Sequence, residues 1–282
     1  MKILVTGATG DVGAHVVRMV IQTGRRPHVF VRDAAKARRL FGDHAEIFLG
    51  DLAHPESLQP AIEGVDSLFL VTTGPAIPKL DAGVAEVARK AGLRHLVKLS
   101  SLDVEEGLAI GAWHEQGEAA IHTSGVPFTF LRPSGFLSNL LNWVHSVQSE
   151  GVIRSSTGAG SRPFIHSEDI AAVAVKTLTT NGYIGQALAL TGPQALTFAE
   201  ITERIATKIG RRLRYEPIGD EEARRRFRTT GASEAEVEAH VALWRAIREG
   251  RLATVTDTVE RVLGRPPLSL DHWLSENGAA FQ

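Results

Sequence analysis

A short apolar run, Lys2-Ile3-Leu4-Val5-Thr6, leads straight into Gly7-Ala8-Thr9-Gly10-Asp11-Val12-Gly13, and a helical pattern of apolar residues starts by His15. A buried strand, a glycine-rich turn and a helix start, in that order, leave few folds open. Gly7 allows a tight turn, Gly10 lets phosphates approach the backbone, and Gly13 lets helix pack on strand. The first turn of such a helix offers free N–H groups and the positive end of its dipole to an anion. Gly7, Thr9, Gly10, Asp11, Val12 and Gly13 are therefore the expected cradle for a dinucleotide pyrophosphate.

Beyond this turn, short apolar runs alternate with helical patterns. Strands are predicted over residues 2–6, 27–31, 45–49, 67–71, 93–99 and 127–131, and helices over 12–23, 34–41, 56–62, 79–91 and 113–123. This alternation predicts an α/β chain of Rossmann type, a doubly wound parallel sheet whose strand-end loops gather along one edge. The second half is richer in helix: residues 139–150, 168–180, 197–208 and 233–249, with strands only over 187–190 and 213–217. Thr197-Phe198-Ala199-Glu200 reads as a capping box, and Gly250 as a helix stop. These later segments predict a small, mostly helical C-terminal substrate lobe. Residues 1–150 are assigned to the dinucleotide-binding domain, and 151–282 to the remaining sheet region plus that lobe.

Composition removes several classes of function. Apolar residues make up 43% of the 282, enough for a sizeable core, and a net charge of −1 gives no basis for a nucleic-acid or anionic-membrane partner. The absence of Cys excludes disulfides, thiolate metal sites and cysteine catalysis, and suits a cytoplasmic protein. A strand-like start leaves no room for a signal peptide, and no apolar run reaches the roughly 18 residues of a membrane span. His114, His122, His145 and His166 lack the spacing of a metal site, so no metal is expected.

Further candidates stand at predicted strand ends. Arg32 closes the second strand, where an arginine can pair with the 2′-phosphate of NADP and a carboxylate would serve the ribose of NAD. Asp33 is adjacent, but Lys36, Arg38 and Arg39 tilt the balance to NADP(H), with NAD(H) still open. Asp51 and Leu52 follow the third strand, where Asp51 can meet an adenine amino group or cap the next helix. Thr72 and Thr73 follow the fourth strand, toward the expected nicotinamide side. Ser100 and Ser101 end the fifth, where a serine can bond a substrate carbonyl or local backbone, and Ser100 is a candidate both for catalysis and for the cofactor site.

Gly7-x-x-Gly10-x-x-Gly13, Gly50-Asp51-Leu52 and Lys98-Leu99-Ser100-Ser101 together resemble the short-chain dehydrogenase/reductase superfamily. Trp113-His114-x-x-x-Glu118, Pro127-Phe128-Thr129-Phe130-Leu131-Arg132-Pro133 and Pro163-Phe164-Ile165-His166-Ser167-Glu168-Asp169-Ile170-Ala171 are similar to its NmrA-like, atypical branch. That branch includes quinone reductases, isoflavone-reductase-type enzymes and ergot-alkaloid dehydrogenases. The resemblance implies an NAD(P)H-binding oxidoreductase of small, conjugated molecules. One departure stands out. Aligning the helix glutamate on Glu118 puts His114 where the superfamily's catalytic lysine stands and Ile110 where its tyrosine stands. Tyr183 and Tyr215, the only tyrosines, come too late in the chain to replace it. His114 is then the candidate to orient ribose or donate a proton, since an ordinary imidazole titrates near neutrality. Ser101, Trp113, Phe136, Asn139, Trp143 and His166 are the expected substrate wall. A non-catalytic, cofactor-binding sensor of the NmrA type is the alternative expectation.

Overall fold

The computed structural model describes residues Met1–Gln282. In chain order its first elements are β1 (Ile3–Thr6), α1 (Asp11–Gln22), β2 (His28–Val31), α2 (Ala34–Phe41), β3 (Glu46–Leu49), α3 (Gln59–Ile62), β4 (Ser67–Val71), α4 (Ile77–Lys90), β5 (His95–Leu99), α5 (Ala109–Ser124) and β6 (Phe128–Pro133). There follow α6 (Val144–Glu150), β7 (Val152–Ser155), β8 (Ser161–Arg162), α7 (Ser167–Thr179), β9 (Ala187–Leu190), β10 (Leu196–Thr197), α8 (Phe198–Ile209) and β11 (Arg214–Pro217). Four helices close the chain: α9 (Asp220–Arg228), α10 (Glu234–Arg248), α11 (Thr258–Leu263) and α12 (Leu270–Asn277).

Compactness divides the chain into two interleaved units, so no single cut, at 150 or elsewhere, separates them. The first comprises Met1–Val104, Gly111–Pro133 and Ser167–Ala189. It is built on a seven-stranded parallel sheet of order β3-β2-β1-β4-β5-β6-β9. Strand β1 pairs with β2 (Val5 beside Val29) and with β4 (Leu4 beside Leu68). Strands β1, β2 and β5 are buried along their whole length, as a parallel sheet covered on both faces requires. Leu4, Leu68, Leu70 and Leu96 pack with Val84, Ala88 and Ile121. Burying each leucine contributes about 2 kcal/mol. Helix α1 buries Val12, Val16, Val17 and Val20 as one helical stripe and packs against α7.

The second unit comprises Glu105–Ile110, Ser134–His166 and Leu190–Gln282. Its core gathers Val147, Ile153, Ile201, Ile205, Trp273, Leu274 and Phe281. Helices dominate it, with two small sheets added: β7 runs parallel to β11, and β8 antiparallel to β10. Strands β7, β8 and β10 were not predicted. They are two to four residues long, and β7 finds its partner some 60 residues away. The single helix predicted over 139–150 is a 3₁₀ stretch, Leu137–Trp143, followed by α6. Leu137, Leu140 and Trp143 turn inward at every third residue, the period of a 3₁₀ helix. No helix is long and apolar enough to cross a membrane.

Candidate active site

The glycine loop joins β1 to α1. Gly7 holds φ +60°, and a Cβ there would sit 2.8 Å from the Val71 Cβ. A Cβ on Gly13 would stand 2.2 Å from the Gly7 carbonyl oxygen, so helix and loop touch backbone to backbone. Gly10 is the N-cap residue of α1, and no side-chain bond caps this helix. The first bond into it runs from Ala14 N to Gly10 O, 3.0 Å. The N–H groups ahead of Ala14 therefore face outward at the positive end of the dipole. Val12 is core and offers only its backbone, whereas half-buried Thr9 keeps its hydroxyl uncommitted. The Asp11 carboxylate accepts the Ser167 hydroxyl at 2.5 Å, so it is held at the start of α7.

At the end of β2, Arg32 is exposed and pairs with no carboxylate. Asp33 is occupied: it is the N-cap of α2 and accepts from Lys36 N at 2.9 Å. Asp51 accepts from Ala53 N at 2.9 Å, closing its own turn, and Leu52 packs against the core. The loop lies tight under this strand end, since a Cβ on Gly50 would stand 2.4 Å from the Phe30 ring.

Past β4 and β5 lies a buried polar group that the sequence reading did not single out. Lys98, wholly buried within β5, pairs with Asp81 of α4 at 2.5 Å. Thr72 donates to Asp81 at 2.8 Å and accepts from Lys98 at 3.2 Å, so its proton is committed, while Thr73 stays exposed. Burial pulls Lys98 below the ordinary lysine range, against the opposing charges of Asp81 and Glu118. A signal was present: a lysine inside the apolar run of residues 93–99 needs a buried partner. Gly117 lets α5 approach that partner, for a Cβ there would lie 2.1 Å from Asp81 Oδ2.

Ser100 Oγ donates to Glu118 Oε1 at 2.5 Å, and Arg132 forks onto the same carboxylate from Nε (3.1 Å) and its terminal nitrogen (2.5 Å). Ser101 donates to Asp103 Oδ2 at 3.1 Å and accepts from Asp103 N at 3.2 Å. His114 stands one turn before Glu118 on α5. It is 9% exposed, and its Nδ1 is enclosed without a partner. Burial, helped by the Lys98 charge, pushes it down to about 3. The ring is therefore uncharged at neutral pH, so an ordinary imidazole titration is not available to it.

Of the expected substrate wall, Ser101 and half-buried Trp113 belong to the first unit. Phe136, Asn139, Trp143 and His166 belong to the second and are described within it. Phe136 bridges to Ile165, and Asn139 is exposed. Trp143 meets the Phe198 ring edge-on at 5.1 Å. His166 Nε2 lies 3.2 Å from Glu276 Oε2, and the His272 ring stands 5.9 Å away.

A glycine cradle, an uncapped helix start and a free arginine at the second strand end fit a phosphate-bearing dinucleotide. Residues 7–181 match the model of the NAD(P)H-binding family. The chain is 38% identical over 282 residues to a (4-alkanoyl-5-oxo-2,5-dihydrofuran-3-yl)methyl phosphate reductase of Streptomyces griseus, covering 99% of each chain. It is 35% identical over 284 residues to an NAD(P)H azoreductase of Xenophilus azovorans, again with 99% of each covered. Among solved structures, a Citrobacter sp. triphenylmethane reductase complexed with NADP(H) superposes with a TM-score of 0.86 at 26% identity, covering 97% of this chain and 99% of that one. The chain belongs to the NAD(P)H-binding family and is an oxidoreductase.

Proposed function

We propose that the protein reduces a conjugated small-molecule acceptor, such as a quinone, enone or imine, with NADPH and without a Tyr-x-x-x-Lys pair. Bound NADPH supplies the hydride. The observation that carries this reading is His114: a buried, uncharged imidazole on α5, the helix where the superfamily's proton donor stands. Tyr215 is engaged elsewhere, its hydroxyl 2.9 Å from Ser155 Oγ in the second unit, and Tyr183 follows α7. Conjugated acceptors hold negative charge themselves and need no strong acid beside them. His114 then contributes a hydrogen bond rather than a transferred proton, the proton that completes the reduction comes from water, and the contribution of His114 is independent of pH between 5 and 8.

The backbone from Gly7 to Gly13, with the Thr9 hydroxyl, holds the pyrophosphate in this reading. Arg32 takes the 2′-phosphate, which favours NADP(H) over NAD(H). With its proton given to Asp81, Thr72 has no hydroxyl donor to offer the cofactor. The azoreductase and furan phosphate reductase relatives are small-molecule reductases, which supports the class of acceptor. The test is a panel of quinones, enones, imines and azo dyes, assayed with NADPH alongside a binding titration. Turnover of at least one acceptor is expected. Bound cofactor that no acceptor oxidises would overturn the reading in favour of a sensor.

A further inference from the structure

We propose that Glu118 is a positioning residue that makes Ser100 a hydrogen-bond acceptor only, so that the serine receives an O–H or N–H of the bound cofactor and gives nothing to the substrate. This inference rests on the reductase reading above. A serine hydroxyl has one proton and two lone pairs, whereas a carboxylate has lone pairs only. Arg132 brings donors alone to Glu118 and grips both carboxylate oxygens. The short bond between Ser100 Oγ and Glu118 Oε1, 2.5 Å, must therefore carry the serine's proton inward. Both groups are buried, which leaves that direction uncontested by water.

The neighbouring hydroxyls are turned the same way. Thr72 gives its proton to Asp81, and Ser101 gives its own to Asp103. Thr72, Ser100 and Ser101 thus keep their hydroxyl protons inside the chain, and what Ser100 has left is lone pairs. A quinone or enone oxygen also brings lone pairs only, and the two cannot bond. The ribose hydroxyls and carboxamide N–H₂ of a nicotinamide nucleotide bring protons, and they match. The serine that sequence reasoning gave to both the reaction and the cofactor is assigned to the cofactor alone.

The experiment separates cofactor from acceptor. In Ser100→Ala the Kd for NADPH, read by fluorescence titration, should rise about three- to tenfold, the worth of one hydrogen bond. At saturating NADPH, the acceptor KM should stay within about twofold. Ser100→Thr keeps the hydroxyl and should restore affinity. Glu118→Gln should also weaken NADPH, and Ser100→Ala combined with Glu118→Gln should bind it no worse than Ser100→Ala alone. An unchanged Kd with a fallen kcat in Ser100→Ala would overturn the proposal, as would additive losses in the double variant. If Glu118→Gln fails to fold, the Kd-against-KM split in Ser100→Ala still decides. The titration needs no acceptor, so a failure of the reductase reading is distinguishable from a failure of this one.

Discussion

The starts of α1 and α8 solve one problem in opposite ways. Each helix begins with N–H groups that have no partner within it. At α8, Thr197 Oγ1 accepts from Glu200 N (3.2 Å) and Glu200 accepts from Thr197 N (2.8 Å). Ser233 and Glu236 repeat this at α10. At α1 the N-cap is Gly10, and no side chain closes the start of the helix. A helix capped by its own side chains is complete, whereas one left bare is available to an anion. The same contrast runs through the side chains. Asp33, Thr72 and Ser101 are committed to internal bonds, while Thr9, Arg32 and His114 are not.

The largest effect should come from closing the bare helix start. Gly10 has extended backbone, φ −88° and ψ −179°, which any residue adopts, and a Cβ there would meet only the Gly7 carbonyl oxygen, at 3.2 Å, so Gly10→Val should fold with a small shift of the loop. Its side chain would stand where the pyrophosphate must approach, and calorimetry should show NADPH affinity reduced by about 100-fold or more. Unchanged affinity would place the site elsewhere and erase the contrast between α1 and α8. Arg32→Ala comes next. A charge-assisted pair to phosphate is worth about 1.5–3 kcal/mol, so NADPH affinity should fall about tenfold or more while NADH affinity barely moves. Equal losses for both cofactors would contradict the assignment of Arg32 to the 2′-phosphate.

His114 sharpens the contrast through pH. Below about 6.5 the unfolded chain protonates this imidazole, but the folded chain does not until about 3. Its contribution to stability is complete above pH 6.5 and is lost as the pH falls from there toward 3. The slope is at most about 1.4 kcal/mol for each pH unit. His114→Gln should flatten the wild-type curve of urea-unfolding free energy across that window. Parallel curves would mean that the folded protein protonates His114 normally. The smallest effect belongs to the closed helix. Thr197→Ala should cost about 1 kcal/mol in stability and leave NADPH affinity unchanged. A loss of affinity there would show that capped and bare starts do not divide structure from binding.

Local patterns were legible wherever neighbours in sequence decide the structure. The capping box at Thr197 is visible as a motif, and β9 falls on residues 187–190 as read. The glycine loop was legible for the same reason. What escaped reading depends on neighbours far along the chain. Strand β7 needs β11, and Lys98 needs Asp81. The state of His114 could not be read from its residue type. Its depressed titration comes from burial and from a lysine on another strand, both products of folding. The polarity of Ser100 is likewise set from α5 and β6, by Glu118 and Arg132.

The interleaving of the two units bears on how the chain is made. The sheet-bearing unit takes its last helix and strand, α7 and β9, from residues beyond 166, after a long stretch belonging to the other unit. On a ribosome, α1 emerges early but waits for α7 to cover it, and β6 waits for β9. A nascent chain halted near residue 150 would expose one flank of the sheet and the apolar face of α1, inviting aggregation or chaperone capture. Synthesis must pass residue 190 before the last strand of this unit can join its sheet.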